Sequence, residues 1–186
     1  MRRKEITLKF LIIVFTFAVI IWIGGSLLRN IIAFDLFVPA TELSLKNYYS
    51  QEVRLHTIHL YSVGSVYTGI AFSVAVICSV MLFILTSKRL KENGWLFMSF
   101  IMFFLVAVLE SYNLYLDIML GMAISNNEID GFSSPAIKEY FLFRYYKLGI
   151  LEPLKYLAIL TIIAFIVWKP LNKRQDSYVE QIIQER

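Results

Sequence analysis

The residues best suited to metal chemistry in this sequence are its two histidines. His56 and His59 follow Glu52 at spacings of four and then three residues, so on a helix all three side chains lie on one face. Imidazole and carboxylate groups are common ligands of zinc and other transition metals, and a carboxylate from another helix would complete a site. The spacing predicts a metal site with the candidate ligands Glu52, His56, His59 and Asp117. The alternative is that the histidines are exposed or hydrogen-bonded and bind nothing.

Haem is the second cofactor to which these histidines are relevant. A haem ligated by two histidines of one chain usually takes one from each of two facing helices, whereas His56 and His59 fall on a single predicted helix. That site is therefore disfavoured. Haem shared across a subunit interface, or bound by one histidine and one methionine, stays open. The default expectation is that the chain binds no cofactor.

Glu110 and Lys155 are charged residues inside strongly apolar stretches of the sequence. At 1.5 Å per helical residue, Glu110 lies about 22 Å from Trp95 and Lys155 about 20 Å from Trp168, so the two reach nearly the same depth. A lone buried charge is costly, and an opposite charge beside it reduces that cost. We therefore predict that Glu110 and Lys155 are close in space.

Further polar residues fall at the same depth. Glu152 precedes Lys155 by one helical turn, and Asn113 follows Glu110 at a spacing of three. The predicted polar layer consists of Arg29, Tyr67, Glu110, Asn113, Glu152 and Lys155. Ionisable residues inside a membrane helix usually face the interior of the bundle, either in a static ion pair that fixes helix register or in a ligand-binding or proton-relay site.

Signatures of common catalytic sites are absent from the sequence. There is no phosphate-binding glycine loop, no His-Glu-x-x-His pair and no nucleophile elbow. Cys78 is the single cysteine, so there is no thiol pair for disulfide chemistry. The sequence therefore favours a protein that is not an enzyme.

These residues belong to a chain of 186 residues that is 58% hydrophobic and only 17% charged, too apolar for a soluble domain. A helix needs roughly 20 apolar residues to cross about 30 Å of hydrocarbon. Four stretches satisfy this requirement, at approximately 10–28, 65–86, 95–116 and 148–168. We predict an all-α polytopic membrane protein with a single domain (1–186), built as an antiparallel up-down four-helix transmembrane bundle.

The first stretch follows a basic N-terminal segment, as a signal peptide would. Its apolar run is longer than the core of a signal peptide, and no small-x-small cleavage site follows it. We therefore interpret it as a retained first span.

Basic residues predict the orientation of the bundle. They cluster before the first span, between the second and third spans at Lys88, Arg89 and Lys91, and after the fourth span in the tail 169–186. We predict that the protein lies in the plasma or inner membrane. The positive-inside rule then places these basic segments, and hence both termini, on the cytoplasmic side. The net charge of +4 follows from this topology and requires no nucleic-acid partner.

The two outward connections are predicted to be partly helical. Residues 51–64 carry no helix breaker before Gly64, and residues 136–149 follow Ser133-Ser134-Pro135, a typical helix start. The second and fourth helices are thus expected to extend beyond the lipid, and Pro153 predicts a kink near the outer end of the fourth. Residues 176–186 are either a short amphipathic helix or a frayed end.

Small residues recur every four positions along the second span. Ser65-Gly69-Ser73 and Ala71-Ala75-Ser79 form two stripes on adjacent faces, which allow another helix to approach closely. The stripes serve either ordinary packing within the bundle or contact with a second protein, including another copy of the chain.

Three functions are compatible with these features. The leading hypothesis is a non-catalytic subunit or accessory protein of a membrane complex. The first alternative is a small-ligand or ion-binding component of a transport route, with a polar cavity in the outer half of the bundle. The second is a redox protein that binds a metal or haem through Glu52, His56 and His59.

Overall fold

The computed structural model describes residues 2–126 and 128–170, and its regular secondary structure is entirely helical. Its helices are α1 (Arg2–Phe34), α2 (Gln51–Leu90), α3 (Gly94–Ser125), α4 (Phe143–Lys147) and α5 (Leu151–Trp168), with a π-helical segment (Ile137–Leu142) that leads directly into α4. Four of these, α1, α2, α3 and α5, are long and apolar enough to cross a membrane. The prediction of an all-helical chain with four such helices is confirmed.

Three of the helices are longer than the apolar stretches that predicted them. α1 continues to Phe34 and α3 to Ser125, because a helix continues while its backbone hydrogen bonds do, irrespective of hydropathy. α2 begins at Gln51, where the side chain of Ser50 accepts a hydrogen bond from the backbone N–H of Val53 at 3.3 Å. The predicted extension of the second helix over residues 51–64 is thus confirmed.

The fourth helix differs from the prediction. Residues 136–149 do not continue into the fourth apolar helix, because the chain turns at residues 148–150 between α4 and α5. Gly149 permits this turn, since a Cβ at that position would lie 2.6 Å from the carbonyl oxygen of Tyr145. Pro153 lies in the first turn of α5, where its missing N–H needs no partner, so it begins a helix instead of kinking one. The predicted helix at 176–186 lies outside the described residues.

The long helices pack in sequence order, α1 against α2, α2 against α3 and α3 against α5. We call the end of the helices that carries residues 35–50 and 128–150 the loop end, and the end that carries residues 91–93 the turn end. Between them, Trp22 is 1% exposed and its ring lies 5.0 Å from that of Phe72 and 6.4 Å from that of Phe103. The loop end has an apolar core of its own, with Leu36, Tyr61, Leu120, Ile137 and Phe141 among its members.

Asp35 begins the connection between α1 and α2 and is held by two donors. The ammonium of Lys46 lies 2.7 Å from Oδ1, and the hydroxyl of Tyr49 donates to Oδ2 at 2.8 Å. These two hydrogen bonds hold the pKa of the Asp35 carboxyl below its ordinary value. Ionised Asp35 therefore stabilises the folded chain above about pH 4, and this contribution is lost as pH falls through the lower folded pKa.

We expect Asp35→Asn to lower the melting temperature at pH 7 and to approach the wild type as the pH is lowered below about 4. Circular dichroism, recorded during thermal unfolding in detergent at pH values from 7 to 3, measures the difference in melting temperature. The control is Asp130→Asn, which removes an exposed carboxylate from another connection of the loop end. A difference in melting temperature between the wild type and Asp35→Asn that stays constant over this pH range would contradict the prediction.

Candidate functional site

Six buried charged side chains form a continuous network near the loop end. They come from α1, α3, α4 and α5, and each is 9% exposed or less: Arg29, Glu110, Asp117, Arg144, Glu152 and Lys155. We call this set the charge network. It contains three cations and three carboxylates, so its formal charges cancel.

Asp117 joins two guanidinium groups at one end of the charge network. Its carboxylate forms salt bridges with Arg29 and, at 2.5 Å, with Nη1 of Arg144, and it accepts a hydrogen bond from the Tyr61 hydroxyl at 2.9 Å. Arg29 also donates to Oγ1 of Thr68 at 2.6 Å and lies 4.6 Å from the centre of the Tyr61 ring. α2 therefore contributes neutral partners to a site whose charges come from other helices.

Glu152 lies in the middle of the charge network. Its Oε1 accepts a hydrogen bond from Nη2 of Arg144 at 2.8 Å, and its Oε2 lies 2.8 Å from Nζ of Lys155. Oε2 also accepts from the amide of Asn30 at 3.1 Å, and the hydroxyl of Tyr145 donates to the Asn30 amide oxygen at 3.1 Å. This carboxylate thus connects α1, α4 and α5.

Glu110 forms the other end of the charge network. Nζ of Lys155 lies 3.3 Å from Oε2 and 3.4 Å from Oε1, which confirms the prediction that Glu110 and Lys155 are close. The indole N–H of Trp22 donates to Oε1 at 2.8 Å, and the amide of Asn113 donates to Oε2 at 3.4 Å. The ammonium of Lys155 contacts both Glu110 and Glu152 and therefore bridges two carboxylates. It is nearer to Glu152.

Five members of the predicted polar layer are buried together, and one is not. The five are Arg29, Glu110, Asn113, Glu152 and Lys155. Tyr67 reaches the predicted depth but is 68% exposed, whereas its neighbour Thr68 faces inward and binds Arg29. Successive helical residues point about 100° apart, so depth alone did not establish which of the two faces the layer.

Three residues that contact the layer were not predicted from the sequence: Trp22, Tyr61 and Arg144. A usable signal existed for Tyr61, which precedes Thr68 by seven residues and therefore shares its helical face. Arg144 lies on α4, in the connection between α3 and α5, and it reaches the charge network because this connection packs at the loop end. Trp22 lies in an apolar run, where its indole N–H gave no indication of a charged partner.

The structure does not bring the predicted metal ligands together. Glu52, His56 and His59 are exposed, and the two histidines line a cavity of about 300 Å³ whose other described walls are Leu55, Ile58, Ile124 and Ile129. Among residues 2–126 and 128–170, no three His, Cys, Asp or Glu side chains are placed to hold a metal ion. The carboxylate of Asp117 is bound instead by two arginines. Metal and haem binding stay untested predictions.

A groove of about 820 Å³ lies between α2 and α3 and extends along α2 from His59 to Ile77. The stripe Ser65-Gly69-Ser73 lines it. The second stripe has a different place, because Ala71 and Ala75 are buried in a core cluster with Ala18 and Trp22 of α1. Packing within the chain accounts for Ala71 and Ala75, and also for Ser65 and Gly69, which are buried, with Gly69 against Leu114 of α3. Of the stripe that lines the groove, Ser73 is exposed.

A much smaller cavity adjoins the charge network. It measures about 10 Å³ and lies among Arg29, Thr68, Glu110 and Asp117. That volume is close to the minimum for one water molecule, and Nε of Arg29 is buried there without a hydrogen-bond partner. This part of the charge network therefore has room for about one water.

Four long apolar helices around buried charges are typical of a multi-pass helical membrane protein. The chain matches no protein-family model, no curated protein and no solved structure.

Proposed function

We propose that this chain is a non-catalytic subunit of a membrane complex, in which the bundle is a rigid scaffold and the groove between α2 and α3 contacts a transmembrane helix of another subunit. The observation that carries this proposal is the charge network. Its buried side chains connect four helices, and each of its charged groups is already paired with an opposite charge inside the network.

In this proposal α1, α2, α3 and α5 cross the cell membrane as an antiparallel up-down bundle. The turn end and both termini face the cytoplasm, which agrees with the basic residues Lys88 and Arg89 in the last turn of α2 and Lys91 directly after it. Trp168 is the last residue of α5 and is 77% exposed, as is typical of an aromatic residue at a membrane interface. The loop end, with its own apolar core, faces outward.

The small size of the cavity beside the charge network supports a structural role over ligand binding. Ligand pockets usually measure about 300–1,000 Å³, whereas the cavity between Arg29 and Glu110 measures about 10 Å³. Each of the six charged side chains forms at least one salt bridge within the charge network. The network therefore fixes the register of the helices.

The groove supplies a surface for the partner. Its length along α2, from His59 to Ile77, is about 27 Å at the helical rise, close to the thickness of the hydrocarbon layer. Gly69 and the serines on either side of it lower the groove floor, and Val66 and Ile70 are exposed along it. Small residues beside apolar ones are typical of close helix–helix contacts in membranes.

Site-specific photo-crosslinking in native membranes tests this proposal. A photoreactive residue at Val66 in the groove is compared with one at Leu160, which is similarly exposed on α5 but distant from the groove in sequence and packing. We expect a crosslink to one larger membrane protein from position 66 and none from position 160, with native mass spectrometry of the extracted complex showing the same protein in fixed stoichiometry. A monomer that carries a metal or haem, or a crosslink only to a second copy of the chain, would contradict the proposal.

A further inference from the structure

The turn end contains a cavity that neither the charge network nor the groove explains. It measures about 330 Å³ and lies between the beginning of α1, the end of α2 and the beginning of α3. Its walls are mainly apolar, formed by Leu8, Ile12, Leu82, Leu96 and Phe100. Its polar edge is formed by Thr86, Arg89, Asn93 and Trp95.

Two hydrogen-bond donors at the polar edge have no acceptor among the described residues. Arg89 is exposed, and within the described residues its guanidinium forms no salt bridge. The indole N–H of Trp95 is buried and has no hydrogen-bond partner in the described part of the chain. A buried donor is normally paired, so an acceptor other than the described residues fits this edge.

The electrostatics of the same edge favour an anion. The turn carries Lys88, Arg89 and Lys91 against Glu92, a net formal charge of +2. α3 begins here at Gly94, its N-cap residue Asn93 makes no side-chain capping bond, and its first turn holds no acidic residue. The positive end of the helix dipole therefore adds to the charge of the basic side chains.

We propose that this cavity binds one anionic phospholipid, with the phosphate at Arg89 and the indole N–H of Trp95 and an acyl chain along Leu82 and Phe100. The apolar walls favour a lipid over free phosphate, because a small hydrated anion would leave them without a partner. Basic pockets between membrane helices on the cytoplasmic side suit anionic headgroups. This inference is separate from the proposed subunit role, since it concerns the opposite end of the helices from the charge network.

Lipid binding to the full-length protein, purified in non-ionic detergent, tests the inference. Native mass spectrometry with added phosphatidylglycerol is compared for the wild type, Arg89→Gln and Lys88→Gln. Lys88 is the matched control, because it lies on the same turn and carries the same charge but does not line the cavity. We expect one bound phosphatidylglycerol, retained by Lys88→Gln and weakened about fivefold by Arg89→Gln, the effect of one basic residue at an anionic membrane surface.

Three further measurements separate the alternatives. Phosphatidylcholine should bind more weakly than phosphatidylglycerol, inorganic phosphate should not displace the lipid, and Trp95→Phe, which removes only the N–H donor, should also weaken binding. The last variant keeps the test decisive if Arg89→Gln fails to fold. Equal binding of both lipids, displacement by phosphate, or equal losses in the Arg89 and Lys88 variants would each overturn the inference.

Discussion

Replacing Asp117 with asparagine is expected to destabilise the protein by about 3–5 kcal/mol, the usual cost of removing one partner from a buried ion pair. Asp117 is the one carboxylate of the charge network that contacts Arg29, and it also contacts Arg144. Asparagine keeps the shape but not the charge, so the two guanidinium groups would face each other around a neutral amide. Reversible unfolding in mixed detergent micelles measures the change in free energy.

Two further variants make this prediction specific. Asp130→Asn removes an exposed carboxylate and should change stability by less than about 0.5 kcal/mol. Adding Arg29→Met to Asp117→Asn removes the cation that has lost its carboxylate partner in the charge network, while Arg144 keeps Glu152. We expect the double variant to be more stable than Asp117→Asn alone. If it is less stable, the contact between Arg29 and Asp117 is not the source of the effect.

The second large effect is expected at Lys155. Lys155→Met keeps most of the length of the side chain but leaves Glu110 and Glu152 without their shared cation, at a cost of about 3–5 kcal/mol. Combining it with Glu110→Gln removes one of the two uncompensated carboxylates. The double-mutant cycle should therefore give a favourable coupling of about 0.5–3 kcal/mol between residues 110 and 155.

The structure predicts only partial rescue in this cycle. Glu152 stays charged in the double variant and loses its contact with Lys155, although it keeps Arg144 and Asn30. Unfolding of the wild type, both single variants and the double variant in the same micelles gives the coupling. Additive effects of the two single changes would show that the pair is not coupled, and complete rescue would show that the contact between Lys155 and Glu152 contributes nothing.

The expected energies suggest a reason for burying charges in the bundle. Buried ion pairs contribute little net stability, because the loss of hydration offsets most of their attraction. A wrong rotation of α1, α3 or α5, however, would separate partners and leave charges buried alone. The charge network therefore serves to select one helix register more than to add stability, which agrees with the proposed scaffold role.

Much of the architecture was predictable because it depends on distances along single helices. The length of an apolar run indicates whether a helix can cross a membrane, and the four helices follow from that rule. The depth of a charge follows from the helical rise, so Glu110 and Lys155 could be paired from their positions alone. The capped start of α2 at Ser50 is likewise a local feature.

The rest depended on contacts between distant parts of the chain. The rotation of α2 decides that Thr68 and not Tyr67 faces Arg29, and the turn at Gly149 allows α4 to bring Arg144 to Asp117. Those same contacts place the carboxylate of Asp117 between two arginines. The sequence by itself determined which helices form and how deep their charges lie, whereas tertiary packing decided which side chains meet, because rotation about a helix axis is set only by what the helix packs against.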